Sequence, residues 1–323
     1  MIASTHVTAM RNSGIAVAGI YSLDQASAIS FAQKNQIKVY QSMNELLADD
    51  IDLTAICTPS GTHCQLAIAL MEAGKHAVVE KPIVLTKEDG IRILETEKKT
   101  GKFCAPISQF RFSDTYRNVK NAVESGDFGK ILLSSLSMKY YRSPDYYAGS
   151  WRGTKAMDGG GALMNQGIHG IDLLCGLMGY PKQISSHVAT LYHKIEVEDT
   201  AVASLVFPSG ALGVMEAGTA ITHSKPRHIE ICGEYASVTI EEDVLISAEG
   251  IDLVGGTPTE IQSWRNPAAI SADLHTAQYR NICAAIRGEE ALSYCAVDAI
   301  NAVNVILAIY ESSETGKTIT FES

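Results

Sequence analysis

The stretch between residues 151 and 172 carries the densest set of chemically useful side chains in the 323-residue chain. Three successive glycines at residues 159–161 precede a predicted helix, and we expect them to let a substrate approach the backbone closely. Helical spacing places Asn165 and His169 on one face, with Asp172 one turn further. An amide, an imidazole and a carboxylate on one face suit hydrogen bonding of a substrate hydroxyl and acid–base transfer of its proton.

A second candidate group is Lys81, within a Glu80-Lys81-Pro82 triplet that ends a predicted strand. The carboxyl ends of parallel strands form the edge at which such sheets bind ligands. A lysine held there beside a positively charged ligand loses basicity through like-charge repulsion and desolvation, so its pKa moves into the range useful for proton transfer. A surface lysine before a turn is the alternative interpretation.

Small polar side chains also follow a neighbouring predicted strand, just before the next helix: Thr58, Pro59, Ser60 and His63. At the carboxyl edge of a sheet they would lie beside a bound ligand. A plain strand-to-helix turn capped by Thr62 is the alternative.

The helices and strands that position these groups show two different patterns of apolar residues in the two halves of the chain. From residue 14 to about residue 107, short apolar runs alternate with amphipathic segments, which is typical of βαβ units on a parallel sheet. We predict strands at 14–21, 37–40, 53–57, 76–80 and 102–107, and helices at 24–35, 43–48, 62–73 and 87–99. This half therefore predicts a doubly wound, Rossmann-like α/β nucleotide-binding domain, at residues 1–107.

Beyond about residue 127, alternating β-branched segments predict a large, mainly antiparallel sheet. We predict strands at 131–140, 183–193, 200–207, 211–221, 228–233 and 237–241, and helices at about 161–178, 272–287 and 296–312. The second half, residues 108–323, is thus predicted to be an α+β domain for substrate binding and oligomerisation.

Composition excludes several classes of function. A formal net charge of −10 without a Lys/Arg-rich run argues against a nucleic acid partner. No apolar stretch approaches the roughly 18 to 20 residues of a membrane-spanning helix, so we expect a soluble, cytoplasmic protein. The seven cysteines are scattered and lack a Cys-x-x-Cys pair, so neither a disulfide framework nor a metal site is predicted.

The start of the chain looks like the inside of a phosphate-binding motif. A dinucleotide-binding domain normally opens with an apolar strand and a glycine turn, and both are missing here. Residues 1–6 resemble the part of such a motif that comes after its second glycine, with Ala3 at the third, small position and His6 on the first helix. Loss of the central strand would expose its neighbours' edges, so we expect a truncated or misassigned start rather than a protein without that strand.

Four motifs occur in register along nearly the whole chain: Cys-Thr-Pro-x-x-x-His, Glu-Lys-Pro, Gln109-Phe110-Arg111-Phe112, and Gly-Gly-Gly-x-Leu-x-Asn-Gln-Gly-x-His-x-x-Asp. In this order and spacing the sequence resembles the Gfo/Idh/MocA family of oxidoreductases. The resemblance implies NAD or NADP as cofactor. It also implies hydride transfer to or from a secondary alcohol of a sugar, nucleotide-sugar or cyclitol.

The resemblance further implies roles for single residues. Lys81 is the catalytic lysine that orients cofactor and substrate, and His169 is the acid–base group. Inositol dehydrogenase-like members carry an Asp at the position of Asn165, whereas members resembling nucleotide-sugar 3-dehydrogenases carry an Asn, as this chain does. A carboxylate at this position therefore cannot take part in proton transfer here. Asn165 and Gln166 are expected to bind the substrate together with Lys81 and His169. Asp172 is expected to orient His169 as a third catalytic residue.

Ser22 occupies the position at which an acidic residue would bind the adenosine ribose. A neutral serine favours NADP, but Leu23 offers no cation for a 2′-phosphate, so both cofactors stay open. Trp151 and Arg152 resemble residues that contact the cofactor across the cleft between the domains. The alternative is that Trp151 is a buried residue with a structural role only. The residues expected to bind cofactor are Ala3, Ser22, Thr58, Pro59, Ser60, His63, Glu80, Lys81, Gln109, Trp151 and Arg152.

Two other functions stay open at this point. One branch of the fold hydrolyses glycosides through transient oxidation by a tightly held NAD. A sensor resembling the galactose-pathway repressors keeps the fold without the reaction, which the missing glycine loop favours and the intact Lys81 and His169 disfavour. A one-sided antiparallel sheet predicts a homodimer or homotetramer. The substrate depends on loops around 141–157 and 251–270.

Overall fold

The computed structural model describes residues 2–255 and 271–321. Helices and parallel strands alternate in its first part: α1 Ile2–Asn12, β1 Gly19–Ile20, α2 Gln25–Asn35, β2 Lys38–Val39, α3 Met43–Ala48, β3 Leu53–Ile56, α4 His63–Glu72, β4 His76–Val79, α5 Lys87–Thr100 and β5 Cys104–Pro106. The predicted Rossmann-like arrangement is therefore confirmed.

Local sequence explains where two of these helices begin. The Ser42 hydroxyl accepts a hydrogen bond from the Glu45 backbone N–H, and the Glu45 carboxylate accepts one from the Gln41 N–H, which makes a reciprocal cap for α3. The Thr86 hydroxyl caps α5 by accepting from the Asp89 N–H. These caps satisfy backbone donors that the first turn of a helix leaves free.

The parallel strands form two groups in the described chain. β3, β4 and β5 make one sheet in that order, β1 pairs with β2, and no ladder joins β1 to β3. β1 covers only two residues of the strand predicted at 14–21, because the preceding residues have no described strand to pair with. β4 is buried along its whole length, and this fixes the chain where it leaves the sheet at Glu80.

The second part is built on an eight-stranded sheet. Its elements are α6 Asp114–Ser125, β6 Ile131–Lys139, α7 Pro144–Tyr147, α8 Ile168–Met178, β7 Gln183–Ala189, β8 Thr200–Val206, β9 Leu212–Gly218, β10 His228–Gly233, β11 Ser237–Glu241, β12 Val244–Glu249, α9 Asp273–Ile286, α10 Ala296–Thr315 and β13 Ile319–Thr320. The strand order is β12-β11-β10-β6-β9-β8-β7-β13. Every neighbouring pair is antiparallel except β6 and β9, which confirms a mainly antiparallel sheet.

Helices α8 and α10 cover one face of this sheet, where Leu136, Met138 and Met215 are buried. The alternate positions point the other way and leave apolar side chains exposed: Leu133, Val202, Leu212 and Val214. Helix α10 also packs against α5 and β5, so the large sheet and the parallel sheet are held against each other.

The predicted helix at 161–178 is wrong in one respect. Residues Ala162–Gly167 form a π-helix, and the α-helix begins only at Ile168. A π-turn inserts an extra residue, so Asn165 and His169 do not keep the i, i+4 relation of a regular α-helix. No helix in the described part of the chain is long and apolar enough to cross a membrane.

Candidate active site

Lys81 lies where the parallel sheet meets the π-helix. It follows the buried strand β4, and its ammonium donates a hydrogen bond to the Asn165 backbone carbonyl at 2.5 Å. The same nitrogen is 3.4 Å from the Asn165 side-chain oxygen. Burial lowers the pKa of Lys81, and the nearby cations Arg142 and Arg152 lower it further against the opposing effect of Glu80. Lys81 and Asn165, which are both expected to bind the substrate, are thus in direct contact.

His169 occupies the first turn of α8 and remains partly exposed. Its ring lies edge-on to Phe110, with ring centroids 5.2 Å apart. Burial of the ring lowers its pKa well below the usual value, and the positive charges of Lys81 and Arg227 act in the same direction. The imidazole is therefore neutral near pH 7 and has a ring nitrogen free to accept a proton.

A network of amides and aromatics fixes the residues beside Lys81. Asn165 donates to the Asp158 carboxylate, and Gln166 donates to the Asn165 side-chain oxygen at 2.9 Å. Gln166 also donates to the Tyr146 hydroxyl at 3.2 Å and accepts from Arg142 at 2.6 Å. The network gives each amide one orientation, which is what recognition of a particular hydroxyl requires.

The three glycines at residues 159–161 are required by close packing within the protein itself. The space that a Cβ would need is filled by the side chain of Leu85, the hydroxyl of Tyr310 and the backbone carbonyl of Glu198 at the first, second and third glycine. The first glycine also has a φ of +74°, which disfavours other residues. Close packing against α10 and against the loops before α5 and β8 therefore explains the run.

Asp172 does not meet His169 in the structure. Its carboxylate accepts hydrogen bonds from the Ser108 hydroxyl, from two guanidinium nitrogens of Arg111 at 2.8 Å each, and from the Tyr294 hydroxyl at 2.8 Å. No hydrogen bond joins Asp172 to His169 within the described residues. His169 and Asp172 both lie in α8, and the buried Arg111 attracts the carboxylate instead. In the structure the Asp172 carboxylate thus forms a buried ion pair, and its expected orienting role stays a prediction.

Replacing Asp172 by Asn is expected to lower the free energy of unfolding by about 3–5 kcal/mol, because it leaves Arg111 buried without a countercharge. Urea denaturation of the variant checks this, with the exposed Asp127→Asn as the matched control. Unchanged stability together with a large fall in turnover would instead support an orienting role for Asp172.

The loop after β3 is tied to the loop that carries Lys81. Residues Ser60–Thr62 form a 3-10 turn, and the buried His63 ring bridges the carbonyls of Thr58 and Pro82 at 2.9 and 2.8 Å. Burial lowers the pKa of His63. His63 thus positions the sheet edge rather than presenting a free nitrogen to a ligand.

Glu80 is held by a buried ion pair with His6 of α1. The carboxylate lies 2.8 Å from one His6 ring nitrogen, and the other ring nitrogen lies 2.6 Å from the Tyr279 hydroxyl. Burial alone would raise the pKa of Glu80, but the His6 hydrogen bond and charge lower it to about 2. The second carboxylate oxygen accepts from the Lys81 backbone N–H at 3.2 Å. Glu80 therefore fixes the backbone that presents Lys81.

The donor set at this edge fits a nicotinamide dinucleotide. Ser22 follows β1, Thr58 follows β3 and Lys81 follows β4, so hydroxyl and ammonium donors lie at the carboxyl ends of parallel strands. The Gln109 side-chain oxygen, after β5, is buried without a partner in the described chain and can accept from a carboxamide. Ala3 lies in the first turn of α1. Arg152 stacks on Trp151, 4.9 Å from its ring centroid.

Sequence reasoning missed three residues of this region: Arg142, Tyr146 and Asp158. All three lie in the loop at 141–157 or directly after it, a region that the sequence identified only as a determinant of the substrate. A single Arg or Tyr in a loop carries no spacing signal. Residues 256–270 of the other predicted substrate loop lie outside the described residues.

The fold and the site together define a two-domain, dinucleotide-dependent oxidoreductase. Two family models match the chain: "Oxidoreductase family, NAD-binding Rossmann fold" over residues 1–107 and "GFO/IDH/MocA C-terminal domain" over residues 116–239. The chain belongs to the Gfo/Idh/MocA family of oxidoreductases.

Relatives of known activity include a scyllo-inositol 2-dehydrogenase (NADP(+)), IolW, of Bacillus subtilis (strain 168), 27% identical over 92% of this chain and 89% of the relative. The myo-inositol 2-dehydrogenase of Thermotoga maritima is 30% identical over 61% of this chain and 58% of the relative. The WlbA dehydrogenase of Bordetella pertussis, solved with NADH and UDP-GlcNAcA, superposes with a TM-score of 0.89 at 27% identity, covering 100% of this chain and 95% of that one.

Proposed function

We propose that the protein transfers a hydride between a nicotinamide cofactor and a secondary alcohol carbon of a sugar, nucleotide-sugar or cyclitol. The observation that carries this proposal is that Lys81 and His169 line the same cavity, where the charge of Lys81 acts on the His169 ring. The relatives named above are dehydrogenases of cyclitols and of a nucleotide-sugar, which supports the same substrate range.

In the oxidative direction, His169 accepts the proton of the substrate hydroxyl. The Lys81 ammonium has three N–H donors, and two contacts with Asn165 use at most two of them. At least one N–H is therefore left to donate to the same hydroxyl oxygen. Asn165 and Gln166 fix the ring so that its C–H faces the cofactor. The cofactor, when bound, supplies the carbon that accepts the hydride.

Ser22, Thr58, Gln109, Trp151 and Arg152 are proposed to hold that cofactor. Ser22 presents no negative charge toward a 2′-phosphate, so NADP as well as NAD fits. Calorimetric titration of NAD+ and NADP+ into the protein tests the proposal, and we expect at least one to bind. Failure of both to bind would favour a sensor that keeps the fold without the reaction.

The rate of oxidation is expected to stay nearly constant from about pH 8 down to below 6.5, the usual pKa of a histidine. The lowered pKa of His169 keeps its ring unprotonated, so the rate should fall only at a lower pH than it would with an ordinary His. The lowered pKa of Lys81 brings the alkaline limb below the usual value of about 10.4. A pH profile of kcat checks both limbs. An acid limb centred at or above 6.5 would contradict the assignment of His169.

The glycoside hydrolase alternative predicts a different cofactor balance. A hydrolase that oxidises its substrate only transiently would cleave a nitrophenyl glycoside without added cofactor and without net reduction of NAD. The proposed dehydrogenase instead reduces one added cofactor for each substrate oxidised. Measuring nitrophenol release and cofactor reduction in parallel separates the two.

We also propose that the exposed sheet face joins subunits into a homodimer or homotetramer in the cytoplasm. Leu133, Val202, Leu212 and Val214 form an apolar surface on neighbouring strands, which is seldom left in water. Sedimentation analysis of the protein tests this, and a monomer at micromolar concentration would overturn it.

A further inference from the structure

The region around Lys81 holds three cations, Lys81, Arg142 and Arg152, although the whole chain carries a formal net charge of −10. Lys81 is flanked by Arg142 and Arg152, and their charges act on its ammonium. Neither arginine has a carboxylate within 4.0 Å among the described residues. Asp158, which also faces Lys81, is buried and already accepts from the Gly153 N–H and from Asn165. Glu80 and Asp158 thus act on the Lys81 ammonium, whereas neither guanidinium is paired with a carboxylate among the described residues.

Arg142 is held in place without being neutralised. Its backbone N–H donates to the Thr219 carbonyl at 2.8 Å, which anchors it to the large sheet. Its guanidinium donates to the Tyr141 carbonyl at 3.0 Å and to the Gln166 side-chain oxygen at 2.6 Å. The guanidinium carbon also lies 5.7 Å from the ring centroid of Tyr146. An arginine has five N–H donors, so three remain for a ligand.

The position of Arg142 relative to the reacting groups sets where a ligand charge must lie. Arg142 is hydrogen-bonded to Gln166, Gln166 to Asn165, and Asn165 to Lys81. Two residues therefore lie between the guanidinium and the ammonium. This short chain of contacts suits a charge on the reacting sugar itself or directly attached to it. A planar guanidinium with paired donors matches carboxylate and phosphate oxygens.

We propose that Arg142 forms an anion subsite, and that the substrate of the reaction carries a carboxylate or phosphate group on the sugar whose hydroxyl is oxidised. This inference rests on the proposed function, and it narrows the substrate from neutral cyclitols and sugars to acidic ones. Arg152 stacks on Trp151 and Tyr146 and adds to the positive field, while Arg142 makes the direct contact.

The phosphates of the cofactor are the competing explanation for an unpaired arginine. Arg142 is anchored on the sheet domain through Thr219 and contacts Gln166 on the π-helix. Apart from Trp151 and Arg152, the residues proposed to hold the cofactor follow strands of the parallel sheets instead. The subsite therefore predicts that loss of the Arg142 charge weakens binding of the acidic substrate and leaves cofactor affinity unchanged.

Calorimetry with matched ligand pairs tests the subsite in the presence of reduced cofactor. The pairs are D-glucuronate with D-glucose, D-glucose 6-phosphate with D-glucose, and UDP-GlcNAcA with UDP-GlcNAc. We expect at least one of the first members to bind about 10- to 100-fold more tightly than its partner, which lacks the carboxylate or phosphate on the sugar, as charge-assisted hydrogen bonds do. Arg142→Gln should abolish this preference and spare NADH affinity. Arg142→Lys should restore part of it, and the exposed Arg280→Gln should change nothing.

The members of the panel distinguish the sources of the charge. Preference for the uronates assigns a carboxylate, and preference for the sugar phosphate assigns a phosphate. Equal affinity for both members of every pair, or a preference that survives Arg142→Gln, overturns the subsite even if a neutral sugar is oxidised. An acid that binds through Arg142 but never reduces NAD+ or NADP+ leaves the subsite standing and overturns the proposed reaction.

Discussion

Replacing His169 by alanine is expected to lower kcat for alcohol oxidation by about 10²- to 10⁴-fold, the usual contribution of a positioned acid–base group. The neutral, partly exposed ring has no other described hydrogen-bond partner, so its removal breaks no buried network. Cofactor affinity and the free energy of unfolding should change little. Steady-state kinetics with calorimetric titration of NADH measures both effects on the same protein.

The exposed His187 of β7 provides the matched control, because His187→Ala removes the same side chain far from Lys81. Added imidazole should restore part of the activity of the His169→Ala variant. Undiminished kcat in that variant would remove His169 from the mechanism.

Replacing Lys81 by methionine is expected to lower kcat by about 10³-fold or more, since it removes both a hydrogen-bond donor to the reacting oxygen and a positive charge beside it. Methionine keeps most of the buried volume of the side chain. The loss of a neighbouring cation should also raise the pKa of His169, because Lys81 now disfavours its protonated form. The acid limb of the residual activity should therefore move to higher pH.

This shift separates a catalytic lysine from a merely structural one. A residue that only supports the fold would lower activity without moving the pH profile. The exposed Lys98→Met serves as the control and should leave both kcat and the pH profile unchanged. A kcat within a few-fold of the wild-type value in Lys81→Met would contradict the proposed role of Lys81.

Much of the fold is encoded in local patterns that can be read from the sequence. The apolar run ending in the Glu-Lys-Pro triplet became the fully buried β4, because a central parallel strand must be apolar on both faces. The caps at Ser42 and Thr86 fixed helix starts to within a residue, since each cap is a contact between residues three apart. Alternation likewise predicted β10 and β11 with their observed bounds.

The features that sequence reasoning missed depend on tertiary partners. The π-helix at Ala162–Gly167 breaks the regular spacing that local reasoning assumes. Asp172 pairs with Arg111, a residue 61 positions away. The glycines at 159–161 pack closely against Leu85, Tyr310 and Glu198, which are distant in sequence. Arg142 belongs to no repeated pattern, and only its position beside Gln166 in space gives it a function.

The most direct test of the central claim is to follow a deuterium atom from substrate carbon to cofactor. The protein is incubated with NAD+ or NADP+ and a panel of sugars and cyclitols deuterated at their secondary alcohol carbons, scyllo-inositol and UDP-GlcNAcA among them. Mass spectrometry of the nicotinamide then reads the label. Hydride transfer predicts one deuterium in the reduced cofactor with wild-type protein and a much slower appearance with His169→Ala. A cofactor that binds but never acquires the label from any member of the panel would contradict the account.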